Sequence, residues 1–237
     1  MDEKELREAL VYWGRKIIEK KLVVGAGGNI SARYKDIMLI SPSGLGFDEL
    51  EPQDYVAVNL ESGKTVTDGR PSSEVVMHWF CYLGRPDINA VVHTHPPLTI
   101  GVVVGGGRIG QMFPDFVAYL GSLGYIDYVT PCTAELARTV QSQVKEKNGV
   151  LMLNHGVLTV GQNLKEAFQR TELIEESARI LLTAKQFGEP RILTSKECDE
   201  RLSKLKQEKI DFYIKNNIPL DFIEPRYECK LCGDTGI

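Results

Sequence analysis

The chain has 237 residues, with 28 Lys plus Arg against 32 Asp plus Glu, a formal net charge of -4, 43% hydrophobic and 25% charged residues. That balance excludes a disordered or fibrous chain, and the mild acidity argues against a broad nucleic-acid-binding surface. No apolar run approaches the ~18 residues of a membrane span, and the N-terminus carries no apolar signal segment, so a cytoplasmic protein without membrane contact is expected.

Leu6, Leu10, Trp13, Ile17 and Ile18 recur at helical spacing and predict an amphipathic helix over 3–22. Gly25, Gly27 and Gly28 end it. Short strands are predicted over 30–34 and 36–41, then a turn at Ser41-Pro42-Ser43-Gly44. Tyr55–Leu60 reads as a strand, with a hairpin turn leading into Thr65–Thr67. Pro71 suits the first turn of a helix that would run over Ser72–Leu83. Ala90–His95 is a compact strand that Pro96 and Pro97 terminate.

A helix over Leu98–Val104 follows, closed by Gly105-Gly106-Gly107. After a loop region, Tyr125–Val129 reads as a strand and Thr133–Lys147 as a helix. Val150–Leu153 and Val157–Val160 are strands, interrupted by His155-Gly156. Leu164–Phe187 is the longest helix, and Ser195–Tyr213 a more polar one. Helices and strands intermix, with hairpins, so the class is α/β or α+β with a mixed or antiparallel sheet. The expected division is one domain over 1–220 and a tail over 221–237 that could pack at a subunit interface. No dinucleotide fingerprint and no Walker A motif occurs.

The five cysteines are an odd number and scattered, which speaks against a disulfide framework. Cys229 and Cys232 form a lone CxxC in the polar tail. Incidental cysteines are the leading reading there, ahead of a metal or tail contact and of redox chemistry.

Only four histidines are present. His93 and His95 are two residues apart, so on an extended strand they share a side. His155 follows another strand. Three neutral imidazoles with an open position make a catalytic zinc shell. The plain alternative is a set of satisfied, partly buried histidines. His78 lies on a predicted helix one turn after Glu74, which suits a structural or supporting role. Glu74 itself either favours a helix N-terminus or moves a proton beside a metal-bound carbonyl. Small donors at Gly28-Asn29, Ser43-Gly44 and Ser72-Ser73 suit an anion such as phosphate.

Taken together and in order, Gly27-Gly28-Asn29-Ile30-Ser31-Ala32-Arg33, Ser41-Pro42-Ser43-Gly44, Pro71-Ser72-Ser73-Glu74, His93-Thr94-His95-Pro96 and Asn154-His155-Gly156 resemble the class II aldolase/adducin family, nearest its L-fuculose-1-phosphate aldolase branch. The resemblance implies an α/β three-layer αβα sandwich around a central, largely antiparallel mixed sheet. It implies one Zn2+ per subunit on His93, His95 and His155. Glu74 would shuttle the proton, and Gly28, Asn29, Ser43, Gly44, Ser72 and Ser73 would cradle the substrate phosphate. The implied reaction cleaves a ketose 1-phosphate, such as L-fuculose 1-phosphate, to dihydroxyacetone phosphate and an aldehyde, such as L-lactaldehyde, through a zinc-stabilised enediolate. Active members of this family are usually homotetramers with interface sites.

The segment Gly110–Tyr128, which normally selects the substrate, reads Gln111-Met112-Phe113-Pro114-Asp115-Phe116 and has Phe113 where the resemblance leads one to look for a catalytic tyrosine. Tyr119 is one candidate for the catalytic replacement, with packing beside the sheet as its leading alternative; Tyr213 and Tyr227, which could reach a neighbour's site, are the others. Asp115 resembles an acidic residue of the L-ribulose-5-phosphate 4-epimerase branch. That branch and the sugar-acid-phosphate decarboxylases or dehydratases are the alternatives, although Glu74 favours aldol cleavage over epimerisation.

Overall fold

The structure is a computed structural model and describes residues 1–219, so the expected tail over 221–237, with Tyr227, Cys229 and Cys232, lies outside the described residues. Met1–Leu193 form one compact unit, and a second begins at Thr194. In the first unit, seven strands form one sheet in the order β3-β2-β1-β4-β7-β6-β5. The strands are β1 (Asn29–Tyr34), β2 (Ile37–Ile40), β3 (Val56–Asn59), β4 (Ala90–Thr94), β5 (Gly124–Ile126), β6 (Gly149–Met152) and β7 (Gly156–Gly161). Every neighbouring pair is antiparallel except β5 and β6.

The two-residue period of the strands sorts their apolar side chains into two layers. On one face Met38, Ile40, Val56, Val58 and Val91 pack with Met77 and Cys81 of α2 (Val75–Gly84) and Val140 and Val144 of α4 (Ala134–Val144). On the other, Ile30, Ala32, Leu39 and Val92 meet Leu10 and Ile17 of α1 (Glu3–Glu19) and Ala167 and Phe168 of α5 (Leu164–Lys185). Further along that sheet, Leu151 and Val157 pack with Ile174 and Ala178 of α5 and Val102 and Val103 of α3 (Pro97–Val104). The result is the expected α/β three-layer sandwich with a largely antiparallel mixed sheet. Strand β4 is central and buried along its whole length, which is why Ala90-Val91-Val92 reads as an unbroken apolar run.

Helix α1 starts where a capping box predicts it: Asp2 accepts from the Glu5 N–H and Glu5 accepts from the Asp2 N–H, both at 2.8 Å. Helix α2 starts later than Pro71 suggests. Pro71 instead bridges Pro42, and the Val75 N–H closes a turn on the Ser72 carbonyl, so Glu74 occupies the N-cap position. Thr65 makes only an isolated bridge to Val58 rather than a full hairpin arm. Phe116–Leu120, read as loop, forms a single π-helical turn.

Helix α3 has Pro96 as its N-cap and Pro97 as its first residue, so its first N–H groups belong to Leu98 and Thr99. Both donate to the buried Glu175 carboxylate, at 3.0 and 2.9 Å, and the Thr99 hydroxyl adds a third bond at 2.8 Å. Donors that a helix start leaves orphaned are thus satisfied by α5, which anchors the chain just beyond His95. In the second unit, α6 (Ser195–Lys215) opens with a capping box between Thr194 and Glu197. No helix among the described residues is long and apolar enough to cross a membrane.

Candidate active site

Sheet register assembles the site. His93, on the central strand, pairs with Asn29 of β1 on one side and Leu158 of β7 on the other. His95 lies just past the strand end, where its N–H donates to the Leu22 carbonyl at 2.9 Å. His155 sits in the short loop joining β6 to β7, whose Asn154 adopts a left-handed φ of 56°. Ligand atoms of the three rings all lie within 4.8 Å of one another. The Nε2 atoms of His93 and His95 are 3.1 Å apart.

The tautomer of His93 is dictated by its surroundings. Its Nδ1–H donates to the Val157 carbonyl at 2.8 Å, which turns Nε2 toward the other rings. Burial, with the nearby His93, pushes the His95 and His155 imidazoles down to about 4, so both are neutral near pH 7. Three imidazoles whose nitrogens converge on one point are a metal-binding donor set.

Glu74 enters the same point from the N-cap of α2. Its Oε2 lies 3.1 Å from His93 Nε2, and its Oε1 lies 3.5 Å from His155 Nε2. Oε1 is buried and has no hydrogen-bond partner. Burial opposes ionisation of this carboxyl, but His93, the amide of Asn29 and His155 outweigh it and hold Glu74 well below the usual carboxylate range. Three converging imidazoles and a buried anion with a free oxygen fit a divalent cation.

Gly28, Asn29, Ser43, Gly44, Ser72 and Ser73 line one cavity of about 260 Å³ together with Glu74, His95 and His155. Every residue expected to contact phosphate therefore borders the imidazole cluster. Gly28 has a φ of 74°, and a Cβ there would fall 2.7 Å from the His93 carbonyl, so only glycine fits this turn. The side chain of Asn29 is already engaged: its amide donates to Glu74 Oε2 at 3.0 Å and its carbonyl faces His78 Nε2 at 2.5 Å. Tyr119 is elsewhere. It lies on the π-helical turn, is mostly exposed, and lines a separate cavity with Asp115, Glu166 and Arg170.

A sequence model of the family described as Class II Aldolase and Adducin N-terminal domain matches residues 8–182. The chain belongs to this family. Among curated relatives, the 5-deoxy-D-ribulose 1-phosphate aldolase of Bacillus thuringiensis serovar kurstaki is 36% identical over 203 residues, covering 84% of this chain and 95% of the relative. The L-fuculose phosphate aldolase of Methanococcus vannielii is 36% identical over 166 residues, covering 69% of this chain and 88% of the relative. A solved L-fuculose 1-phosphate aldolase superposes with a TM-score of 0.80 at 32% identity, over 87% of this chain and 98% of that one.

Within this class II aldolase fold, two features escape a motif-by-motif reading. Pro131 and Cys132 also line the cavity, Cys132 at a left-handed φ of 64°. Ser31 and Tyr82 join His78 in a buried hydrogen-bonded row, with Ser31 Oγ 2.7 Å from His78 Nδ1 and 2.9 Å from the Tyr82 hydroxyl. A spacing signal for that row exists: Glu74, His78 and Tyr82 are four residues apart, and Asn29 and Ser31 share one face of β1.

The buried His78 predicts a pH effect on folding. Burial lowers it from an ordinary 6.5 to about 3. The unfolded chain therefore takes up a proton near pH 6.5 that the folded chain refuses until about pH 3. Stability from this group is complete above 6.5 and drains away as pH falls, by about 3 kcal/mol at pH 4.5. Urea unfolding of the metal-free protein at pH 7 and 4.5 should show a smaller acid loss for His78→Gln than for the wild type. Equal losses would contradict this assignment.

Proposed function

We propose that the chain is a metal-dependent aldolase that cleaves a ketose 1-phosphate between C3 and C4 into dihydroxyacetone phosphate and an aldehyde. The observation that carries this reading is the position of Glu74: a buried carboxyl between His93 and His155 that lines the same cavity as the serine and glycine turns. His93, His95 and His155 would hold one divalent ion, zinc by the character of the donors, and when bound it would polarise the substrate carbonyl and offset charge developing on its oxygen.

The turns at Gly28, Ser43-Gly44 and Ser72-Ser73 would receive the phosphate, with Asn29 at their border, and so fix the three-carbon head of the substrate against Glu74. In the condensation direction Glu74 takes a proton from C3 of dihydroxyacetone phosphate, and in cleavage it returns one. A second group must accept the C4 hydroxyl proton. Tyr119, exposed on its chain, is suited to do so in a neighbouring subunit of a homotetramer. The two curated relatives named above are called aldolases of 5-deoxy-D-ribulose 1-phosphate and of L-fuculose phosphate. Cleavage of the former between C3 and C4 leaves acetaldehyde, and of L-fuculose 1-phosphate L-lactaldehyde, so the dihydroxyacetone phosphate half is common.

The experiment is condensation: metal-loaded protein, dihydroxyacetone phosphate and a panel of aldehydes that includes acetaldehyde and L-lactaldehyde. A new ketose 1-phosphate is expected from at least one of them. Failure with every aldehyde would remove the aldolase reading and promote 4-epimerisation or decarboxylation of a sugar-acid phosphate.

A further inference from the structure

The fourth histidine has no place among the cluster of three, yet it is fully buried and hydrogen-bonded at both ring nitrogens. The row it belongs to runs Tyr82, Ser31, His78, Asn29, Glu74, and its last member is the carboxylate of the active site. The direction of every bond in that row follows from chemistry. The Asn29 amide NH2 faces Glu74 Oε2 at 3.0 Å and donates to it. That orientation turns the Asn29 carbonyl oxygen toward His78 Nε2, which must therefore carry the hydrogen. His78 is neutral, because burial holds its protonation far below neutral pH, so Nδ1 is an acceptor. Its partner, the Ser31 hydroxyl, donates to it. Ser31 has spent its one hydrogen, so the Tyr82 hydroxyl donates to Ser31. Burial pushes the Tyr82 phenol up, which keeps that hydrogen in place.

We infer that His78 is a positioning residue, which locks the Asn29 amide in the orientation that donates to Glu74 and so holds the carboxylate in its proton-transfer geometry. With the other His78 tautomer, or with no donor at that place, nothing would hold the Asn29 carbonyl. The amide could then turn its oxygen toward Glu74, which would repel the carboxylate. An apolar residue would fill the volume of His78 as well, so packing alone does not account for a row of five polar groups in a core. The inference rests on the proton-transfer role proposed for Glu74.

Two measurements on the full chain test it. In the metal-free and metal-loaded wild type, the 15N signals of the His78 ring should report hydrogen on Nε2 and a bare Nδ1. Hydrogen on Nδ1, or on both nitrogens, overturns the row regardless of any activity. In the metal-loaded enzyme, His78→Met should lower kcat roughly tenfold or more with KM and metal content unchanged, the equivalent of losing one hydrogen bond to a charged group. His78→Gln, whose amide keeps a donor toward Asn29, should recover most of that loss. A His78→Met enzyme within twofold of wild type, or equal impairment of Met and Gln variants, overturns the inference. Should His78→Met fail to fold, Ser31→Ala carries the same test, with kcat reduced and KM kept. A wild type inactive on every ketose 1-phosphate would instead sink the proposed function, and the ring signals would still judge the row.

Discussion

Glu74→Gln is expected to lower turnover by at least about 100-fold while the protein keeps its metal, because a positioned acid–base group typically contributes about 10²–10⁴ in rate. The substitution changes little else. The glutamine carbonyl can still accept from Asn29, which donates to Glu74 at 3.0 Å, and the three imidazoles are untouched. KM for the ketose phosphate should hardly move, since the substitution leaves the residues of the phosphate turns, Ser72-Ser73 included, unchanged. Steady-state kinetics and metal analysis on the same preparation separate the outcomes. Loss of metal together with activity would make Glu74 a ligand first and a base second. Full activity with metal in place would remove it from the reaction.

Much of the fold is legible in the chain because local rules and the global arrangement agree. Strand β4 could be read from Ala90-Val91-Val92 and its stop from Pro96-Pro97, and both hold. Helix α2 starts later than the sequence implies because Pro71, a good first helical residue by propensity, is taken by a bridge to Pro42 that only the tertiary fold supplies. The meeting of His93, His95 and His155 rests on register: β4 and β7 lie side by side, so the loop before β7 arrives beside the end of β4. Spacing along the chain could suggest only the first two. Asn29 is the most instructive residue. As one half of a Gly-Asn turn it reads as a phosphate contact, yet its side chain is engaged by two groups that are 45 and 49 residues away in sequence. Tyr119 shows the other kind of boundary. Its ring is exposed on its own chain, so the role proposed for it depends on a subunit contact that a single sequence does not encode by local pattern.

Gly156→Ala should be the most damaging small substitution in the site. The β-carbon it adds would stand 2.5 Å from the Thr94 carbonyl oxygen, 2.6 Å from His95 Cδ2 and 3.2 Å from His93 Cε1. The first obstacle is backbone of the central strand, which cannot rotate away. The other two are rings of the imidazole cluster, which can move only by leaving the metal-binding arrangement. Overpacking of this kind costs about 1–3 kcal/mol in a well-packed interior. Misplaced ligands should weaken metal binding by at least the roughly 10–100-fold seen when supporting contacts of a metal site are lost. The two effects are separable: denaturation of the metal-free protein reads the strain, and competitive metal titration reads the ligand displacement. Gly101→Ala is the matching control, because Gly101 lies in α3, has ordinary helical backbone, and its added carbon would meet nothing within 4 Å. It should leave metal affinity unchanged and stabilise the fold slightly, by about 0.5–1 kcal/mol. A Gly156→Ala protein with wild-type metal affinity would mean that the three histidines do not need this close approach of β7, and the cluster would no longer explain why glycine follows His155.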